Sequence, residues 1–424
     1  MAYNARVLCL PSDEDVVHEM RSVNAEEAGI RHMLPKARHY LVKLENVRRP
    51  IAHILKETFL SNGGDAVVSR EIITASVEHC DVILAGTRKH FQRALLALRE
   101  QGFGCDVLAT EVEAAIRHFD GLPNVPRSEA LSDPRLGRFF DLVGTRTVVM
   151  GILNVTPDSF SDGGYYSDPS AAIDHAYDMA ANGADVIDIG GLSTRPGADP
   201  IPASEESERV LPIVQELAPH LDIPISIDTY SSEVADAALE AGAMIVNDIS
   251  GASFDPEMPA LLARRQCPAI LMHILGTPKD MQVSPEYADV MADVCRYLRS
   301  RVHALIEAGV DEKLLIVDPG IGFGKTPEHN LEIMRRLREL KSIGRPILIG
   351  TSRKSTIGRV LGGLPPSERL EGTAATVALS IANGTDIVRV HDVKEMVRVA
   401  RMADAIVRPQ PTSTRTSGGD TKSA

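Results

Sequence analysis

Eight short apolar runs in this chain each end on residues able to do chemistry. They end on Asn154; on Gly190 to Pro196, with Thr194 and Arg195; on Asp228-Thr229-Tyr230; on Asn247-Asp248; on His273; on Asp318-Pro319-Gly320; on Thr351 to Ser355, with Lys354; and on Arg389-Val390-His391-Asp392. The richest is MGILNVTPDSFSDGG (150–164), where an apolar run breaks into a loop offering an amide (Asn154), a carboxylate (Asp158) and hydroxyls (Thr156, Ser159, Ser161). Such a mixture suits an anionic ligand gripped through hydrogen bonds or a metal. Taken singly, each end is as well explained by a helix cap, a salt bridge or turn chemistry. Eight polar ends out of eight are hard to ascribe to chance.

The runs that must position these groups are Thr147 to Leu153, Asp185 to Ile189, Ile223 to Ile227, Met244 to Val246, Ala269 to Met272, Leu314 to Val317, Pro346 to Ile349 and Ile387 to Val390. They are rich in Val and Ile with little alternation, as expected of parallel strands buried on both faces. Between them lie segments with helical spacing and start signals, among them Asp168-Pro169-Ser170 before Ala171 to Ala181, Ser204-Glu205-Glu206 before Val210 to Leu217, and Pro327-Glu328 before Leu331 to Leu340. Strand alternating with helix eight times predicts an α/β protein built on a (β/α)8 TIM barrel, whose strand carboxyl ends share one mouth. A doubly wound sheet fits less well, because it calls for fewer strands and a Gly-rich turn after the first.

NVTPDSFSDGG, STRPGA, SIDTY, VNDISG, DPGIGFGKT, TSRKS and RVHDV, in this order over about Gly144 to Ala405, resemble the dihydropteroate synthase family, which joins a pterin methyl diphosphate to 4-aminobenzoate. The resemblance implies a (β/α)8 barrel, commonly a homodimer, that uses magnesium with the diphosphate. It implies that Asp228, Asn247 and Asp318 meet the pterin edge, joined by Lys354. These residue types suit that role, since a carboxylate accepting two N–H bonds resembles carboxylate–guanidinium pairing. Arg389 and His391, two apart on or just past the last strand, are expected to supply cations and donors to the leaving diphosphate. Asn154 is expected to help hold Mg2+, a hard cation that keeps waters and bridges phosphate oxygens. The resemblance places 4-aminobenzoate between Thr194, Arg195 and Pro196 on one side and Phe323, Lys354 and Ser355 on the other.

Two other motifs dissolve on inspection. Gly320 to Thr326 (GIGFGKT) looks like a phosphate-binding P-loop, but Pro319 stands where its first glycine should be, and Lys325 stands where a dinucleotide fingerprint needs its third. Neither ATP nor NAD is expected, and no carboxylate or Cys/His cluster calls for zinc. One residue departs from the family pattern: Leu192 occupies the position of the usual glutamate in GGESTRPGA, removing a negative charge beside the aminobenzoate loop. A methyltetrahydrofolate–corrinoid methyltransferase of the same barrel group, or a non-catalytic pterin-binding paralogue, are the competing readings; STRPGA and SRKS argue against the first.

With 424 residues the chain exceeds a barrel of about 250. Residues 1–120 are expected to form a smaller α+β domain, with strands at Arg6 to Leu10, His39 to Leu44 and Asp81 to Ala85 and helices at Pro50 to Leu60 and Lys89 to Gln101. The Ser61-Asn62-Gly63-Gly64-Asp65 patch reads better as a helix C-terminus than as a ligand loop. Residues 121–143 read as a linker, 144–407 as the barrel and 408–424 as a disordered tail. The net charge of −13, without a basic run, speaks against nucleic acid or an anionic membrane as partner. Five widely spaced cysteines fit reduced thiols, and with no signal peptide or apolar run of eighteen residues a soluble cytoplasmic enzyme is expected.

Overall fold

The structure, a computed structural model, describes residues 3–155 and 169–408. The chain divides after Arg117 into two compact units. In the first, strands β1 (His39–Arg48), β2 (Asp65–Val68) and β3 (His79–Thr87) form an antiparallel sheet in the order β1-β3-β2. Helices Arg49–Ser61 and Arg88–Arg99 present amphipathic faces to it, and Phe59, Phe91 and Tyr40 meet edge to face at ring distances of 5.0 and 6.1 Å. Residues 6 to 10, expected as a strand, form none: they find no pairing partner among the described residues and stay mostly exposed, and helices Asp13–Ser22 and Glu27–Ala37 follow. The Ser61 to Asp65 patch ends the first long helix, with the Gly64 N–H donating to Phe59 O at 2.9 Å before the chain enters β2, a strand absent from the sequence-based expectation.

The second unit is the barrel. Its strands are β4 (Val148–Asn154), β5 (Val186–Gly190), β6 (Ile225–Asp228), β7 (Ile245–Asp248), β8 (Ala269–Met272), β9 (Leu315–Asp318), β10 (Leu348–Ile349) and β11 (Ile387–Val390). All pair in parallel in the order β10-β11-β4-β5-β6-β7-β8-β9, and a parallel bridge from Val317 to Ile347 joins the ends of the sheet. The expected strands all recur within two residues at either end. Leucine, valine and isoleucine of one parity, such as Val149, Ile187, Ile227, Val246, Val317 and Val388, pack outward against the helices. The other parity, Met150, Val186, Ile245, Ile270, Ile316, Leu348 and Ile387, fills the interior. Both faces are apolar, which is why the runs show so little alternation.

That interior core is closed at the amino-terminal end by helix Pro134–Leu142, whose Phe139 and Phe140 are both 1% exposed. The segment 121–143, expected as a linker on its Pro- and Gly-rich start, therefore belongs to the barrel. Asp133 caps this helix and the RFFDLV run supplies its buried face. Carboxylates at the lower strand ends serve the backbone: Asp404 accepts from Thr147 N at 2.8 Å, Asp185 from Val149 N at 2.9 Å and Asp386 from Ile347 N at 2.9 Å. Of the opening loop, Thr156, Asp158, Ser159 and Ser161 lie outside the described residues, as does the tail from 409.

Candidate active site

Following the interior parity up each strand by steps of two leads from apolar side chains to polar ones at the mouth. Met150 leads to Asn154, Val186 to Asp188, Ile245 to Asn247, Ile316 to Asp318 and Ile387 to Arg389 and then His391; Asp228 has the same parity on β6. Register does the rest, setting Asp228 beside Asn247 on neighbouring strands and Met272 beside Asp318.

The floor of the site is a fork of charges. Arg389 donates from Nε to Asp188 Oδ2 at 2.6 Å and from Nη2 to Asp228 Oδ2 at 2.7 Å, while Asn247 Nδ2 donates to Asp188 Oδ2 at 3.0 Å. Burial opposes the Arg389 charge, but the two carboxylates outweigh it and raise its pKa. For Asp228 burial wins: with Asp188 also repelling its charge, its pKa is pushed up to about 7 despite Arg389. Among the described residues, the Oδ1 atoms of Asp188 and Asp228 are buried without a hydrogen-bond partner. Buried acceptors of this kind are costly until a ligand brings N–H donors. A side chain on Gly190 would stand 3.6 Å from both Asn154 Oδ1 and Asp228 Oδ2, so the Asn154 amide flanks the same floor.

One wall comes from the loop after β9. Asp318 is 6% exposed and accepts from Gly320 N at 2.7 Å; burial lifts its pKa to about 6 against the pull of Lys354, Lys325 and Arg389. Gly320 is compulsory there, since a Cβ would lie 2.0 Å from His273 O. The Lys354 ammonium stands 4.3 Å from the centre of the Phe323 ring, a cation–π contact that joins this loop to the one after β10. Burial lowers the Lys354 pKa to about 8. Asn330 ties the two loops by accepting from Gly322 N at 2.9 Å and donating to Thr356 Oγ1 at 3.0 Å. Ser355 opens helix Ser355–Val360 with its side chain exposed.

His391 occupies the most cationic corner. Burial and then the charges of Arg353, Arg389, Lys354 and Arg195 hold its pKa down at about 3, and its Nδ1 lies 3.0 Å from Ser352 Oγ. Expected with Arg389 to supply cations and donors, it stands within hydrogen-bonding distance of Ser352. Arg389, expected at the leaving group, donates from two of its three guanidinium nitrogens to the floor carboxylates. Thr194 is half-buried, and Arg195 and Pro196 are exposed, on a loop anchored from outside the floor by Gly197 N donating to Pro278 O at 3.0 Å and by the Lys279–Asp199 ion pair at 2.8 Å. Leu192 lines a flanking cavity of about 200 Å³ with Tyr230, Phe254, Ala198, Pro200 and Pro278; none of the floor residues lines it.

Two residues of the site, Asp188 and Lys325, are absent from the sequence-based expectation. A carboxylate inside the otherwise apolar VIDIG was the available signal for the first, since an acid on a doubly buried strand must face a partner. Lys325 sits in the P-loop look-alike, yet it is 2% exposed and lies inside the wall.

Comparison with known proteins identifies the family. Residues 150–391 match the family described as pterin binding enzyme. The chain is 52% identical over 265 residues to the dihydropteroate synthase of Synechocystis sp., covering 62% of this chain and 92% of that protein. It is 40% identical over 392 residues to a probable bifunctional folylpolyglutamate synthase/dihydropteroate synthase of Halobacterium salinarum, covering 92% of this chain and 46% of that one. The latter match is too long for the barrel alone and takes in much of the N-terminal unit. Among solved structures, the Xanthomonas albilineans dihydropteroate synthase with 4-aminobenzoic acid is 41% identical with a TM-score of 0.59, covering 63% of this chain and 94% of that one.

Proposed function

This chain belongs to the dihydropteroate synthases of the pterin-binding enzyme family, and from that premise we propose how its residues carry the reaction. The enzyme condenses 6-hydroxymethyl-7,8-dihydropterin diphosphate with 4-aminobenzoate, giving 7,8-dihydropteroate and diphosphate in folate biosynthesis. The observation that carries the assignment of the site is its floor, in which a guanidinium and an amide hold two buried carboxylates whose second oxygens lack a donor among the described residues. The guanidine-like edge of a pterin supplies N–H donors for such oxygens.

Asp188, Asp228, Asn247 and Asp318 take the pterin edge, and Lys354 and Phe323 cover its face. The C–O bond to diphosphate breaks as the aniline nitrogen bonds to the pterin methylene; the electron pair leaves with diphosphate and the amine proton passes to solvent. The ring shares the positive charge that develops on the methylene, and the Asp228 carboxylate stabilises it. Aniline nitrogen is unprotonated at neutral pH, so positioning and electrostatics dominate, and orientation alone is capable of about 7 to 11 kcal/mol. Arg353, Arg389, Lys354 and Arg195 surround His391 with the positive charge a departing diphosphate needs. The aminobenzoate lies between Thr194, Arg195 and Pro196 and the wall of Phe323, Lys354 and Ser355.

Magnesium fits this donor set as a guest of the substrate. Among the described residues no group of three His, Cys, Asp or Glu is placed to cage a metal, while the Asn154 carbonyl oxygen flanks the mouth beside Asp228. Asn154 would give Mg2+ one protein ligand, and the bound ion would neutralise diphosphate charge. The enzyme works as a homodimer in the cytoplasm, a reading supported by the family's habit and by five widely spaced cysteines, none of them paired in a disulfide. The test is formation of dihydropteroate from the two substrates with Mg2+, repeated with a chelator. No product with magnesium present refutes the function; undiminished turnover with chelator refutes the metal.

A further inference from the structure

A lysine at the GIGFGKT position of a phosphate-binding loop normally points outward at phosphates. Lys325 turns inward instead. Its ammonium lies 2.8 Å from His273 Nδ1, 2.9 Å from Phe323 O and 3.3 Å from His273 O. Three acceptors for three N–H donors is a complete shell. For Nδ1 to accept, the His273 imidazole must be neutral with its proton on Nε2; burial and then Lys325 itself favour that form, holding the His273 pKa at about 2. The imidazole is held in turn by the edge-on ring of Tyr297 at 4.9 Å. Tyr287 adds a second pin to the same loop, donating from its hydroxyl to Gly324 O at 2.7 Å.

We propose that Lys325, through His273 and the Phe323 carbonyl, is a positioning residue for the synthase reaction: it locks the loop after β9 so that Phe323 and Asp318 keep their places in the pterin site. Two considerations point beyond packing. A buried ammonium is expensive, and an apolar side chain of equal volume at such a place is often as stable or more so, so stability alone does not call for lysine. Burial lowers its own pKa to about 7, and in its charged form it acts on the Asp318 carboxylate alongside Lys354 and Arg389. Lys325 touches neither substrate in this scheme. It bonds the carbonyl of the residue whose ring packs against Lys354.

This inference rests on the function proposed above, and the test separates the two. Lys325→Met and Lys325→Gln are compared with the wild-type chain by thermal unfolding, by steady-state kinetics and by calorimetric titration with pteroic acid. Lys325→Met should unfold no earlier than wild type, raise KM for the pterin diphosphate about tenfold and weaken pteroic acid binding similarly, with KM for aminobenzoate changing less. Lys325→Gln, which keeps two N–H donors, should recover part of the loss. Adding His273→Phe to Lys325→Met should cost little more, because both remove one contact. Unchanged pterin KM and binding in folded Lys325→Met overturn the inference. So does failure of both Lys325 variants to fold, which makes the pair purely structural. A wild-type chain that neither turns over nor binds pteroic acid instead overturns the function.

Discussion

Asp318 and Lys354 come from different strand ends and meet only at the mouth, so each should be separable from folding. Asp318→Asn and Lys354→Ala are expected to weaken pterin binding by about 1 to 3 kcal/mol, the cost of leaving a buried partner unpaired, while circular dichroism stays native. Wild-type affinity in substrate titrations of both variants would remove them from the site. The raised carboxyl pKa values carry a pH prediction. Asp318 near 6 and Asp228 near 7 must be ionised to receive pterin N–H groups, so kcat/KM should fall as pH drops from about 7 through 6. Stability runs the other way. A carboxyl whose folded pKa exceeds its unfolded value near 3.8 contributes stability that is present below that value and lost as pH rises through about 7. Denaturant titrations should therefore show Asp228→Asn costing less at pH 8 than at pH 4; an equal cost at both contradicts the burial account of Asp228.

At the scale of elements, two segments do work that their sequences understate. Helix Pro134–Leu142 is the lower lid of the barrel interior, and Phe139→Ala should cost about 3 to 5 kcal/mol in denaturant unfolding, as for other fully buried aromatics. A loss under about 1 kcal/mol would show that the helix merely abuts the barrel. The loop carrying Thr194, Arg195 and Pro196 is the other. Because Leu192 lines a cavity with Tyr230, Phe254, Thr277 and Lys279 and not the floor, restoring a glutamate there should act on the substrate only through the loop. Sulfonamides, which share the aniline of 4-aminobenzoate, should compete with it, and Ser355→Ala or a change at Pro196 should shift that competition more than Leu192→Glu. Inhibition that added aminobenzoate does not relieve refutes the assigned pocket.

For the whole molecule, every residue assigned to the reaction lies between Asn154 and His391, inside the second unit. Residues 118–424 made alone should retain kcat/KM within about threefold of the full chain, and should keep the lid helix that a cut after residue 143 would discard. A fall of about a hundredfold would give the N-terminal unit a part in catalysis that none of its residues suggests. Sedimentation of the full chain tests the homodimer; a monomer at working concentration refutes it.

Sequence by itself determined the barrel and most of its mouth, because eight Val- and Ile-rich runs buried on both faces leave polarity only at their ends. Asp228, Asn247, Asp318 and Arg389 were legible for that reason, since each is the first charged or amide residue of its parity after an apolar run. What tertiary structure alone decided is who faces whom. Arg389 reads as a cation for the leaving group, and the interior parity of β11 also aims it across the barrel at Asp188 and Asp228, carboxylates 201 and 161 residues away in sequence. Asp188 was hidden by its apolar neighbours and Lys325 by its likeness to a phosphate loop, because burial depth and partner identity come from strands far apart in the chain. A lid helix read as a linker has the same cause: Phe139 and Phe140 have nothing to bury against until the strands have closed into a barrel.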